Sequence, residues 1–236
     1  MGILDKLNIL GQIYDIYETF STRLSVACMR GCSACCTQNV TITTLEGYRI
    51  VEHLISTGQL NLFQRLHRSA HQERFQPTVT TNELAALCMQ GEDPPEEKND
   101  WPRAACPFLS NNECLIYPER PFGCRCFFSR QKCETIASAV VDPFLLTVNT
   151  LFLQFIEQID AGGLLGNMTD VLFFLESEAR RKQYEVNVSL NHPVRLPVNR
   201  CIPGFLVPPE HHLRIQPILQ RIKNISLPQG SFGNQG

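Results

Sequence analysis

Eleven cysteines in 236 residues limit what this chain can fold into more than any other feature. Four of them fall within nine residues, in Cys28-Met29-Arg30-Gly31-Cys32-Ser33-Ala34-Cys35-Cys36. An ordinary apolar core has no need of that density, and such thiols point to ligation. A second group follows about seventy residues later, in Cys106-Pro107-Phe108-Leu109, Cys114-Leu115-Ile116-Tyr117 and Arg120-Pro121-Phe122-Gly123-Cys124-Arg125-Cys126, with Cys133 beyond it. Two separated thiol groups can close one metal site.

Cys32-x2-Cys35 is a spacing at which two thiolates grip one ion while backbone amides turn toward the sulfurs, as in zinc knuckles and iron–sulfur loops. Adjacent cysteines such as Cys35 and Cys36 rarely serve one tetrahedral ion, because the linking backbone is strained and the side chains tend to diverge. That leaves two metals, a polynuclear cluster, or one ligand beside one bystander. Cys106, Cys114 and Cys124 are too widely spaced for a local clip, so the economical arrangement joins the two groups. Arg120 and Arg125 lie beside these thiols, where positive charge favours ionised sulfur; the plainer alternative is a pair of surface ion pairs.

The chain is 43% hydrophobic and 19% charged, so it can bury a core without help from its cysteines. Its formal net charge of -2 supplies no basic field for nucleic acid or an anionic membrane. Met1 to Lys6 lacks a basic region followed by an unbroken apolar run, so no signal peptide is expected and the protein is read as cytoplasmic. The most apolar stretch, Ile136 to Ile156, is interrupted by Asp142, Pro143 and Asn149 and makes a poor membrane span. A reducing compartment and an odd number of cysteines favour thiolates over disulfides.

Apolar residues at three- and four-residue steps, Ile3, Leu4, Leu7, Leu10, Ile13, Tyr14, Tyr17 and Phe20, predict an amphipathic helix over 3–20. Thr43 and Glu46 form a capping-box pattern, predicting a helix from Thr44 to Ser56 that stops at Gly58. Leu60 to Glu73 reads as the next helix, with Leu62, Phe63, Leu66 and Ala70 inward and His67 and His71 facing solvent. Thr80 to Met89 repeats the capping pattern through Glu83 and ends at Gly91, with Cys88 as a small core residue. Glu92 to Asp100 reads as an exposed acidic connector, and Ala104 to Cys133 as irregular backbone held by ligands. Asp142-Pro143 predicts a strongly apolar helix to Ile159, placed in the middle of the core.

Gly162 to Gly166 reads as a turn, since a phosphate-cradling loop would follow a strand. A further helix is predicted from Asn167 to Gln183, then a largely extended, proline-spaced segment over 186–208 that contains Cys201. Pro209 to Ile222 is expected to form a last helix despite Pro217. These patterns predict a mainly α protein: one helical domain over 1–226 carrying an irregular cysteine-rich metal-binding subregion over 28–133, and a disordered tail over 227–236.

The combination Cys-x3-Cys-x2-Cys-Cys, Cys-Pro-Phe-Leu, Cys-x-Ile-Tyr and Arg-Pro-x-x-Cys-Arg resembles the YkgJ-type cysteine-cluster family, described as zinc- or iron-chelating. The resemblance covers about residues 28–128 and implies Cys28, Cys32, Cys35, Cys36, Cys106, Cys114 and Cys124 as metal ligands. Pro107, Phe108, Leu109, Tyr117, Arg120, Pro121 and Arg125 are its framework. Leu115 stands where a small polar residue is commoner, and Cys126 where the family demands no cysteine, which leaves open whether Cys126 or Cys133 is an extra ligand. A more distant resemblance, to flagellin lysine-N-methylase, implies an iron–sulfur centre and S-adenosylmethionine-dependent methyl transfer to protein lysines. No strand–glycine-loop–helix unit for a methyl donor accompanies it. The cofactors these resemblances imply are iron, as an iron–sulfur cluster, or zinc. No Ser-His-Asp set or His-Glu-x-x-His helix is present, so no catalytic group follows from the residues.

Overall fold

The computed structural model describes residues 1–29, 31–98, 100–133, 139–186, 190 and 196–225. The expected tail 227–236, Arg30, the Ile136 end of the apolar stretch and most of the extended segment over 186–195 lie outside the described residues. Among the described residues the structure is mainly α, with nine helices and two small antiparallel sheets.

Helix α1, Ile3–Ser21, buries Leu10, Ile13, Tyr14 and Tyr17 along one stripe, while Leu4 faces solvent. Helix α2, Thr44–Ser56, starts on the predicted capping box: Glu46 N donates to Thr43 Oγ1, and Thr43 N donates to Glu46 Oε2 at 3.0 Å. Strand β1, Thr41–Thr43, leads into it and pairs antiparallel with β4, Leu165–Asn167, in the register Ile42↔Gly166. Helix α7, Met168–Glu176, follows β4 and lies across α2. A Cβ at Gly47 would come within 2.8 Å of Val171 and 2.9 Å of Leu175, so only glycine permits this approach.

The central helix is α6, Pro143–Ile159, with Asp142 accepting from Phe144 N at 2.9 Å. Its residues Val148, Leu151 and Phe152 are fully buried, and it packs against α1 and against α4, Thr81–Gln90. Glu157 of α6 accepts from the free amides of Thr81 and Asn82 at 2.7 Å each, which fixes the start of α4. The chain closes with α9, His212–Lys223, which contains Pro217 as expected and rests on α1.

Four expectations need correction. The predicted helix over 60–73 is a 3-10 turn, Leu60–Leu62, followed by the short α3, Phe63–Ser69, and Ala70 is exposed. Arg74 explains the early stop, because its guanidinium takes the carbonyls of Ser69, Ala70 and Gln72 while pairing with Asp170. Cys88 is exposed rather than buried, because α4 buries only Asn82 and Ala85 and its last turn stands in solvent. The turn predicted over 162–166 is confined to its start, where Gly162 has φ 87°, since Leu165 and Gly166 already belong to β4. The single helix predicted over 167–183 breaks at Ser177 into α7 and α8, Glu178–Glu185, and Arg181 Nη1 takes the freed carbonyls of Leu175 and Glu176 at 2.9 Å. His67 and His71 are exposed as expected, His67 beside Glu176.

Asp160, just past α6, is fully buried and ties three elements together. Its carboxyl accepts from Tyr184 Oη, from Asn199 Nδ2 at 2.9 Å and from Leu45 N at 3.3 Å. Burial pushes it up from 3.8 to about 7, against the opposing pull of these donors and of Lys6. Between those two values the folded chain keeps a proton that the unfolded chain has released, so this contribution to stability is present below 3.8 and lost as pH rises through about 7. In urea unfolding at about pH 5 and about pH 8, the wild type is expected to lose more stability across the interval than Asp160→Asn; equal losses would contradict the assignment.

Candidate metal centre

The first cysteine group is a succession of tight turns. Gly31 has φ 83°, a left-handed conformation that an L side chain strains to adopt, and it lets Cys32 N return to Met29 O at 3.0 Å. Cys36 N donates to Ser33 O at 2.9 Å. From here the chain pairs with the second group: Cys106 N donates to Cys36 O at 3.0 Å, Thr37 bridges Ala105, and Gln38 N donates to Ala104 O at 2.9 Å. The other end of the loop is strapped separately. Ala27 N donates to Ser129 O at 2.8 Å, and Ser129 N donates to Cys28 Sγ at 3.4 Å.

The second group is more ordered than irregular. Strands β2, Leu109–Ser110, and β3, Glu113–Cys114, form a hairpin whose two-residue turn, Asn111-Asn112, has φ 51° and 61°. Positive φ at both central positions is what a right-twisted two-residue hairpin demands, and asparagine tolerates it. The hairpin sets Cys114 opposite Leu109, three residues from Cys106. The Phe108 and Leu109 amides lie near the Cys106 sulfur and the Ile116 amide near that of Cys114, and they pull both thiols down against the effect of burial. Arg65 holds the loop from outside, donating to Pro107 O at 2.7 Å and Leu109 O at 2.8 Å. Ser33 Oγ donates to Asn112 Oδ1 at 3.0 Å, joining the first loop to the hairpin tip.

Beyond the hairpin, a 3-10 turn at Tyr117–Glu119 and the four-residue helix α5, Phe122–Arg125, present Cys124. Two interactions seat this segment on the helical body. Phe122 is fully buried, stacked on Phe152 at 5.5 Å and edge-on to Tyr17 at 4.7 Å. Its amide donates to Glu46 Oε1 at 2.7 Å, and Tyr14 Oη donates to the same oxygen at 2.8 Å. The α2 capping residue therefore also anchors the second cysteine group, a role with no sequence signal beyond the capping box itself. Arg125 lies over the Tyr14 ring at 4.3 Å and donates to Arg120 O at 2.7 Å, so it is a packing residue and not a surface ion pair.

All eleven cysteines are free thiols. Electrostatically, Cys36 has Cys106, Cys114 and Cys124 as neighbours, and Cys28 has Cys32, Cys35 and Cys133. Burial pushes Cys106 up to about 11 and raises Cys114 and Cys124, so metal-free these sulfurs hold their protons. Cys35 and Cys36 face each other instead of diverging; the hydrogen bond between their thiols raises Cys35 and lowers Cys36. Cys126 is different in kind. It is 8% exposed within the hydrophobic core, its thiol turned to Gly123 O at 3.6 Å, and burial pushes it up to about 12.

The donor chemistry fits zinc or iron: a soft thiol set, backbone amides close to two of the sulfurs, and a cation among them. Arg120 Nε is buried and makes no hydrogen bond, although its guanidinium is an electrostatic neighbour of Cys35, Cys114 and Cys124. Ionised sulfurs would supply the negative charge that this group lacks. Among the described residues no three of the cysteine, histidine, aspartate or glutamate side chains already stand at ligating positions, so the thiols are gathered without being closed around a point.

Residues 27–141 match the family model described as "CxxCxxCC: Putative zinc- or iron-chelating domain". That span takes in all seven expected ligands together with Cys126 and Cys133. No curated protein and no solved structure matches the chain, so the resemblance to flagellin lysine-N-methylase gains no support. Among the described residues no helix is long and apolar enough to cross a membrane.

Removing the Glu46 carboxylate strands the amides of Phe122 and Thr43 at once. Glu46→Ala is expected to cost roughly 2–4 kcal/mol in urea unfolding and to speed alkylation of Cys124. An unfolding midpoint within error of wild type would refute the anchoring role.

Proposed function

We propose that this protein, whose residues 27–141 carry a zinc- or iron-chelating domain of the CxxCxxCC type, binds its metal through Cys28, Cys32, Cys35, Cys36, Cys106, Cys114 and Cys124. The observation that carries this reading is the backbone pairing of residues 36–38 with 104–106, which brings thiols from distant parts of the chain into one another's field. Burial alone would disperse cysteines through the core as it does Cys126. Here the seven candidate ligands are half-buried or, for Cys35, exposed, on short turns, a hairpin and a one-turn helix at the surface, where ligands are usually found.

Zinc in a full thiolate shell has no open position for water, so its role would be structural, pinning the turns of the second group to the helical body. Iron–sulfur chemistry in the same thiols would instead let the protein sense or carry electrons. Free thiols in this number support a reducing compartment such as the cytosol. A lysine methyltransferase would need a pocket for its methyl donor, and nothing in the site points to one.

Metal analysis of protein purified without oxygen tests the proposal. Zinc or iron at a whole-number ratio to the chain is expected. A colourless preparation identifies zinc, and a brown one with acid-labile sulfide identifies a cluster. Stripping the metal is expected to lower the melting temperature and make the thiols of both groups reactive. Protein that carries neither metal and melts identically after chelation would overturn it.

A further inference from the structure

We infer that eight cysteines form two separate four-thiolate centres, Cys36 with Cys106, Cys114 and Cys124 in one, and Cys28, Cys32 and Cys35 with Cys133 in the other. Each takes one thiophilic ion in tetrahedral coordination. The inference rests on the proposed thiolate chelation and departs from the single shared centre that economy of sequence favours.

The two straps on the first cysteine loop carry the argument. One strap joins Cys36 to Cys106 through the 3.0 Å bond between their main chains. From Cys106 the hairpin and α5 lead directly to Cys114 and Cys124. The other strap joins Ala27 and Cys28 to Ser129, four residues before Cys133. The loop's ends are thus held against different parts of the second segment, and each end gathers its own thiols. The electrostatic neighbours follow the straps, with Cys106, Cys114 and Cys124 around Cys36 and Cys32, Cys35 and Cys133 around Cys28, and the two sets meet where the Cys35 and Cys36 thiols touch.

Four thiolates complete a closed tetrahedral site, and each set holds four. The division also accounts for the adjacent pair. Cys35 and Cys36 need not bend back onto one ion if the boundary between the centres runs through the bond joining them. Arg120 suits such a boundary. A divalent ion with four thiolates carries two net negative charges, and this guanidinium neighbours Cys35 of one set and Cys114 and Cys124 of the other. Cys126 is left out by its core packing, with Asn149 Nδ2 holding its carbonyl at 3.0 Å. Cys88 and Cys201 are exposed on other elements.

Zinc(II) is the probe. Full-length protein, reduced and zinc-loaded, is weighed by native mass spectrometry and its zinc measured independently. Two zinc ions per chain are expected, falling to one in Cys133→Ser and in Cys114→Ser, to none in the double variant, and staying at two in Cys126→Ala. One zinc in the wild type, or two retained in Cys133→Ser, overturns the division but leaves chelation standing. No zinc in the wild type overturns chelation itself. A second measurement needs no variant: zinc is withdrawn stepwise from the wild type with a chelator, and released thiols are alkylated and mapped. Loss of the first zinc is expected to free four cysteines of one set, and a mixture drawn from both sets overturns the division.

Discussion

Three residues of antiparallel backbone, 36–38 against 104–106, hold the molecule's cysteine chemistry together. The pairing is short, and its hydrogen bonds are individually worth only about 1 kcal/mol net. It acts as a hinge pin because both flanks are tied down. On one side β1 runs into α2 and pairs with β4, and on the other the hairpin and α5 rest on Glu46 and on the Phe122 pocket. The thiols inherit their positions from a scaffold that is complete without them.

This separation of labour suits a chelating site. The helical body buries its own core, from Leu10 and Ile13 of α1 to Phe152 of α6 and Leu172 of α7, and needs no metal to do so. Among the described residues the first cysteine loop buries no side chain, while the second group sends Phe108, Ile116 and Phe122 into the core and is held from outside by Arg65. Binding energy from an ion would be spent on these turns, the least self-sufficient part of the fold. Arg120, which lies over the Tyr117 ring and whose buried Nε makes no hydrogen bond among the described residues, sits at the same place.

Much of the architecture was legible from local chemistry. The capping box at Thr43, the side-chain cap at Thr80, the Asp142-Pro143 start and the apolar period of α6 depend on neighbours within a turn or two, so residue order suffices to read them. Three of the misreadings share a cause in the opposite sense. Arg74 ends α3 by reaching across to Asp170, β4 exists only because β1 lies beside it, and Cys88 is exposed because α4 is gripped at its first turn by Glu157. Each depends on a partner about sixty or more residues away in sequence, or on where a helix projects, and periodicity carries no record of either.

By itself the sequence determined that this is a mainly helical chain with thiols in two ligand-like groups, since side-chain pattern and cysteine spacing are properties of residue order. It did not determine which thiols become neighbours. Only the tertiary structure decided that Cys36 lies beside Cys106, that the Cys35 and Cys36 thiols meet, and that Cys126 belongs to the core. The reason is geometric: a turn can aim a sulfur either way, and the choice is made by backbone hydrogen bonds between segments about seventy and about one hundred residues apart.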